Sequence, residues 1–73
     1  VYPRKVLEAA LKHKATGLIL VHNHPSGKLT PSQADRDLTR AIIQAAQPLA
    51  IVVLDHLIIA KQGYYSMAEH HLL

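Results

Sequence analysis

The sequence predicts an α/β domain in the order helix, strand, helix, strand, strand, with helices flanking a small mixed sheet. Three observations carry that expectation. Two segments repeat their apolar residues at helical spacing. Two others are continuously apolar and rich in Leu, Ile and Val. The second of these runs into a glycine turn and a short return segment, "KQG" then "YYSM".

The first helix is expected over Pro3 to Lys14. Proline suits the first helical position, where its missing N–H costs nothing. Val6, Leu7, Ala10 and Leu11 form one apolar stripe, and Glu8 and Lys12 sit four apart on the polar side. Thr16 and Gly17 break the pattern. A strand follows from Gly17 or Leu18 to His22, and its "LILV" run predicts cover on both faces. "HPSGK" is a loop punctuated by Pro25 and Gly27. In the second helix Thr30 is the expected cap, Pro31 lies in the first turn, and Gln33 completes a capping box. Ala34, Leu38, Ala41, Ile42 and Ala45 are its expected inner face, and it ends near Gln47, before Pro48. A strand from Ala50 to Ala60 and the return strand complete the set; the tail "AEHHLL" shows little pattern.

A strand covered on both faces normally has neighbours on both edges. Three strands are few for so many apolar residues. Further strands are therefore expected, from residues preceding these or from another copy of the chain, and an edge left open invites self-association.

A chain of 73 residues makes one small domain or a piece of a larger one, and its 49% hydrophobic content suits a packed core. With three tyrosines and no Phe or Trp, that core is aliphatic. The absence of cysteine excludes disulfides and thiolate metal sites, and fits a reducing, cytoplasmic setting. No apolar run approaches the roughly 20 residues that cross a bilayer, and the charged, helical start does not resemble a signal peptide. The net charge is +3, with Arg4, Lys5, Lys12 and Lys14 clustered early. These read as a solvated helix face. Neither aromatic stacking residues nor a glycine-rich phosphate loop accompanies them, which disfavours a nucleic-acid partner.

The chemistry is concentrated in "LILVHNHPSGKLTPSQAD", Leu18 to Asp35. In a strand, residues two apart share a face, so His22 and His24 project together if the strand continues that far. Asp35 falls in the first turns of the next helix, which the loop can fold back beside the strand end. Two imidazoles and one carboxylate, with a position left for water, make a typical zinc set. The same set serves ferrous oxygenases, where the carboxylate usually comes second, as H-x-D; here it comes third, and zinc is favoured. The competing reading is a pair of ordinary surface or core histidines.

Other polar residues carry weaker signals. Asp55 and His56 interrupt an apolar strand and face opposite sides; a role beside the site and a hydrogen-bonded structural role are both open. Ser26 and Lys28 flank the ligands in the loop, near enough to touch substrate, though turn chemistry and solvent explain them as well. Asn23 points away from the histidines. Ser66 and His13 read as surface groups, and His70 and His71 as an exposed tail pair that binds metal adventitiously.

"HNHPSGKLTPSQAD" matches H-x-H-x7-S-x2-D, the core of the JAMM (MPN-plus) metalloprotease motif, and with "LDHLIIAKQGYYSM" it closely resembles the RadC family of that superfamily. The resemblance covers nearly the whole chain. It implies a JAMM/MPN-like, cytidine-deaminase-like fold, of which these residues are the C-terminal part. It implies zinc held by His22, His24 and Asp35, with Ser32 holding the oxyanion or bound water. The family's catalytic glutamate normally lies on a strand upstream, and no residue here takes its place: Glu8 sits on a helix's polar side and Glu69 near the tail. The implied function is zinc-dependent hydrolysis of amide bonds in a protein or peptide. A non-catalytic metal-binding or scaffold module, and the DNA-repair association historically attached to RadC proteins, are the alternatives. Contiguous His22-Asn23-His24 is not the HNH nuclease motif, whose residues are spread over a ββα unit.

Overall fold

The computed structural model describes residues 3–73. Helix α1 spans Pro3–Lys12 and closes in a Schellman motif. Lys14 adopts the left-handed conformation at φ 53°. The Ala15 N–H then reaches Ala10 O at 2.8 Å and the Lys14 N–H reaches Leu11 O at 3.1 Å, satisfying carbonyls that the helix end would orphan. The helix therefore stops before the breaker at Thr16 and Gly17. Leu7 and Ala10 are buried, whereas Leu11, expected on the same stripe, is exposed. Glu8 pairs with Arg4 at 3.3 Å rather than with Lys12, an exposed contact of little energetic weight.

Strand β1 (Gly17–Asn23) lies parallel to β2 (Val52–Ala60), and β3 (Gly63–Ser66) is antiparallel to β2, giving the mixed order β1-β2-β3. Helix α2 (Gln33–Ala46) makes the crossover between the parallel pair and ends in a 3-10 turn at Gln47–Leu49 containing Pro48. Ala50 is left-handed at φ 56°, so the second strand begins at Val52 rather than Ala50.

Two corrections to the sequence expectations bear on function. The cap of α2 is Ser32, not Thr30, and the capping box is completed by Asp35, not Gln33. The buried face of α2 is Asp35, Thr39, Ile42 and Ala46. Ala34, Ala41 and Ala45, expected inside, are exposed, and Leu38 is half-buried. The face is turned about one residue because two polar side chains, Asp35 and Thr39, point inward.

The sheet is covered on one side only among the described residues. Leu7, Ala10, Ala46 and Ile51 form a core cluster with Ala15 and Leu18 packed against it. Ile42, Ile58 and Met67 are fully buried nearby. On the other side Ile19, Val21, Val52, Leu54, Ile59 and Tyr64 are exposed. The expectation that "LILV" is covered on both faces is thus not met within these residues. Strand β1, at one end of the strand order, also has an edge without a strand partner there.

A bulge in β2 decides which residues join the helix-covered side. The register runs Leu18↔Val53 and then Ile19↔Asp55, so Leu54 is the extra residue. Beyond the bulge Leu20 pairs with His56 and His22 with Ile58. Without it, Asp55 would pair with Leu20 and face α2, because a slip of one residue exchanges the faces.

Candidate metal centre

The strand periodicity works as the spacing predicts. His22 is the penultimate residue of β1, and His24 lies one residue beyond the strand but continues the ladder through its N–H to Ile59 O at 2.9 Å. Their rings meet edge to face with centroids 4.7 Å apart. Asn23 lies on the opposite, exposed side. The chain then turns at once, the Gly27 N–H reaching His24 O at 3.0 Å with Gly27 at φ 85°, where glycine has no Cβ to clash.

Asp35 meets both histidines. Its Oδ1 is 3.0 Å from His22 Nδ1 and its Oδ2 is 3.0 Å from His24 Nε2. Ligating atoms of His22, His24 and Asp35 all lie within 4.8 Å of one another. Among the described residues this is the group of three or more such side chains close enough to share one ion. His70 stacks on Tyr65 at 4.0 Å and engages Ser66 O through Nδ1 at 2.8 Å.

The capping box aims the carboxylate. The Ser32 N–H donates to Asp35 Oδ2 at 2.8 Å, while Ser32 Oγ accepts from the Asp35 N–H at 3.0 Å. One side chain therefore closes the helix start and presents its oxygens to the histidines. Burial by itself would raise the Asp35 pKa. The Ser32 backbone and hydroxyl, with the His22 and His24 charges, outweigh that and hold it below the usual carboxylate range.

The loop fixes His24. Its Nδ1 lies 2.6 Å from Lys28 O. A carbonyl only accepts, so Nδ1 carries a proton there and Nε2 is the nitrogen turned to Asp35 Oδ2. At 3.0 Å the nitrogen and the carboxylate oxygen share a proton or, in its place, a cation. A metal-bound imidazole commonly has this wiring, one nitrogen donating to a backbone carbonyl and the other free to ligate. The donor types, two imidazole nitrogens and a carboxylate, are ones zinc accepts; the two 3.0 Å contacts run to different oxygens of Asp35, and a single ion would draw the three groups closer than the 4.8 Å that bounds them. Lys28 thus serves through its backbone, and Gly27 O is held in turn by the Gln62 side chain.

The pair Asp55 and His56 separates. His56 is buried on the helix-covered side, its ring centroid 6.1 Å from that of His22. Its Nδ1 contacts Thr39 Oγ1 at 2.5 Å, and Thr39 Oγ1 donates to Asp35 O at 2.8 Å. Burial, and then the His22 charge, push the His56 pKa down against the pull of Asp35 and Asp55, so the ring is neutral. Asp55 is not at the site. It accepts from Ser66 Oγ at 2.5 Å, the Ala68 N–H at 3.0 Å and the His56 N–H at 2.7 Å, stapling the tail turn to β2. Ser66 is accordingly buried, not the surface group its sequence suggests. Thr39 escaped the sequence reading; its one signal is its place a helical turn beyond Asp35.

Residues 1–72 match the family described as RadC-like JAB domain. The UPF0758 protein Bpet3149 of Bordetella petrii is 58% identical over 73 residues, which is all of this chain and 32% of that protein's length. The match over nearly every residue is decisive: the chain belongs to the RadC-like JAB domain family.

Proposed function

We propose that the chain binds zinc through His22, His24 and Asp35 and that this centre hydrolyses an amide bond in a protein or peptide. The observation that carries the reading is the convergence of His24 Nε2 and the ionised Asp35 carboxylate at 3.0 Å, each held in place by a backbone group. The chemistry zinc supplies when bound is a water whose pKa falls to about 7 and polarisation of the scissile carbonyl.

The chain's own residues do the rest of the ligand-side work. The Lys28 carbonyl keeps the proton on His24 Nδ1, and the Ser32 N–H orients Asp35 Oδ2. Ser32, exposed at the helix start, offers its hydroxyl proton to an oxyanion. Proton transfer to the leaving amine needs a further acid. Among the described residues Glu8 is engaged with Arg4 on α1, and neither Glu8 nor Glu69 belongs to the metal cluster. The acid in this proposal therefore comes from outside these residues, as the chain spans only about a third of the length of its curated relative.

That same observation favours a second reading, a metal-binding module without catalysis. One experiment separates them. Zinc content and cleavage of an isopeptide-linked substrate are measured for this chain and for a form extended at its N-terminus. Stoichiometric zinc in both, with cleavage in the extended form alone, is the expected result. Zinc without cleavage in either leaves the module reading. Absence of stoichiometric zinc overturns both.

A further inference from the structure

We infer that Thr39 and His56 are a positioning pair that sets the distance between the aspartate-bearing helix and the histidine-bearing strand. The inference rests on the metal-site reading proposed above. His22 and His24 come from β1 and its end, whereas Asp35 comes from α2, so the ligand geometry depends on where α2 sits along the sheet. The apolar contacts between them do not fix that position sharply, because burial of Ile42 and Ile58 is favourable over a range of small slides. A directional tether does.

Thr39 and His56 supply it. Thr39 has one hydroxyl proton and two close buried neighbours at Oγ1, Asp35 O and His56 Nδ1, with a third, Met67 Sδ, farther off. Asp35 O can only accept, so the hydroxyl proton goes there, at 2.8 Å. Thr39 Oγ1 must then accept from His56, which assigns the proton to His56 Nδ1, at 2.5 Å. The chain His56 Nδ1–H, Thr39 Oγ1–H, Asp35 O runs from the middle strand to the backbone of the ligand itself. All three residues are buried, at 2%, 1% and 5% exposure, so solvent offers no substitute partner. The bulge at Leu54 is what brings His56 to this side. Met67 Sδ, 3.8 Å from Thr39 Oγ1, walls the tether against the tail.

The test titrates Co2+ and Zn2+ into the wild-type chain, Thr39→Ser, Thr39→Val and, as control for the site, His22→Ala. Thr39→Ser keeps the hydroxyl and should bind metal within about twofold of wild type. Thr39→Val keeps the shape and loses the hydroxyl; its affinity should fall about 10–100-fold, with a shifted Co2+ absorption spectrum. Equal binding by Thr39→Val and wild type overturns the pair, as does a Thr39→Ser loss as large as that of Thr39→Val, which would make the methyl group the cause. Should Thr39→Val not fold, the His56 tautomer in the wild-type chain decides by nitrogen NMR: Nδ1–H is expected, and Nε2–H overturns the assignment. A wild-type chain that binds no stoichiometric metal, or a His22→Ala variant that binds as wild type, overturns the metal-site reading and the pair with it.

Discussion

His24 and Asp35 face each other at 3.0 Å with neither free to turn away, because Lys28 O holds the far nitrogen of the imidazole and the Ser32 N–H holds the carboxylate. An imidazole nitrogen aimed at a carboxylate oxygen, with both groups anchored from behind, is prepared to exchange the proton between them for a cation. The first prediction follows. His22→Ala, His24→Ala or Asp35→Ala should each abolish stoichiometric zinc in elemental analysis. Affinity should also weaken on acidification, because protons compete with the metal for its ligand atoms. Zinc retained by the double histidine variant would place the metal elsewhere.

Ser32 closes the helix and touches the ligand, so its two roles can be separated. Ser32→Ala removes the Oγ that accepts from the Asp35 N–H but leaves the backbone donor to Oδ2. Thermal stability should drop by about 1 kcal/mol, the usual worth of a cap, while zinc content stays unchanged. In a catalytically competent extended form turnover should fall as well. An unchanged rate would reduce Ser32 to capping, and loss of zinc would make it a support of the ligand.

Asp55 gives a prediction in pH. Burial alone would raise its pKa, but the Ser66 hydroxyl and the Ala68 and His56 N–H groups outweigh that and hold it below the usual range. A carboxyl depressed in the folded state stabilises above its unfolded value of about 3.9, and that contribution disappears as pH falls through the folded value. Asp55→Asn should therefore be less stable than wild type at pH 7, and the gap should close on acidification below about pH 4. A gap that is constant from pH 7 to pH 2 would show that charge is not the source.

The uncovered side of the sheet predicts association. Ile19 and Val21 on the open face of β1 are 58% and 61% exposed, next to an edge with no strand partner among the described residues. Sedimentation of the 73-residue chain should show self-association, and Val21→Lys should suppress it, since charge on an edge strand opposes pairing. The substitution should cost little stability because the side chain is already in solvent. A wild-type chain that sediments as a stable monomer would remove the argument for further strands.

Much of this was legible in the residues. Period-two spacing placed His22 and His24 on one side, and the capped start of α2 brought Asp35 back to them, because strand alternation and helix entry are local properties of the chain. The order of elements, the return strand and the aliphatic core are local in the same sense. What local pattern did not carry was the rotation of α2. Its apolar residues named Ala34, Ala41 and Ala45 as the inner face, yet Asp35 and Thr39 are inside because each finds a polar partner across the core, and partners from distant segments leave no mark in periodicity. The fates of Asp55 and His56 were undecided for a related reason. They are adjacent, and alternation says only that they separate; the bulge at Leu54 sends His56 toward the metal ligands and Asp55 toward Ser66 and the tail. Register across a sheet is settled by how two strands pack together, and only the tertiary structure holds both of them.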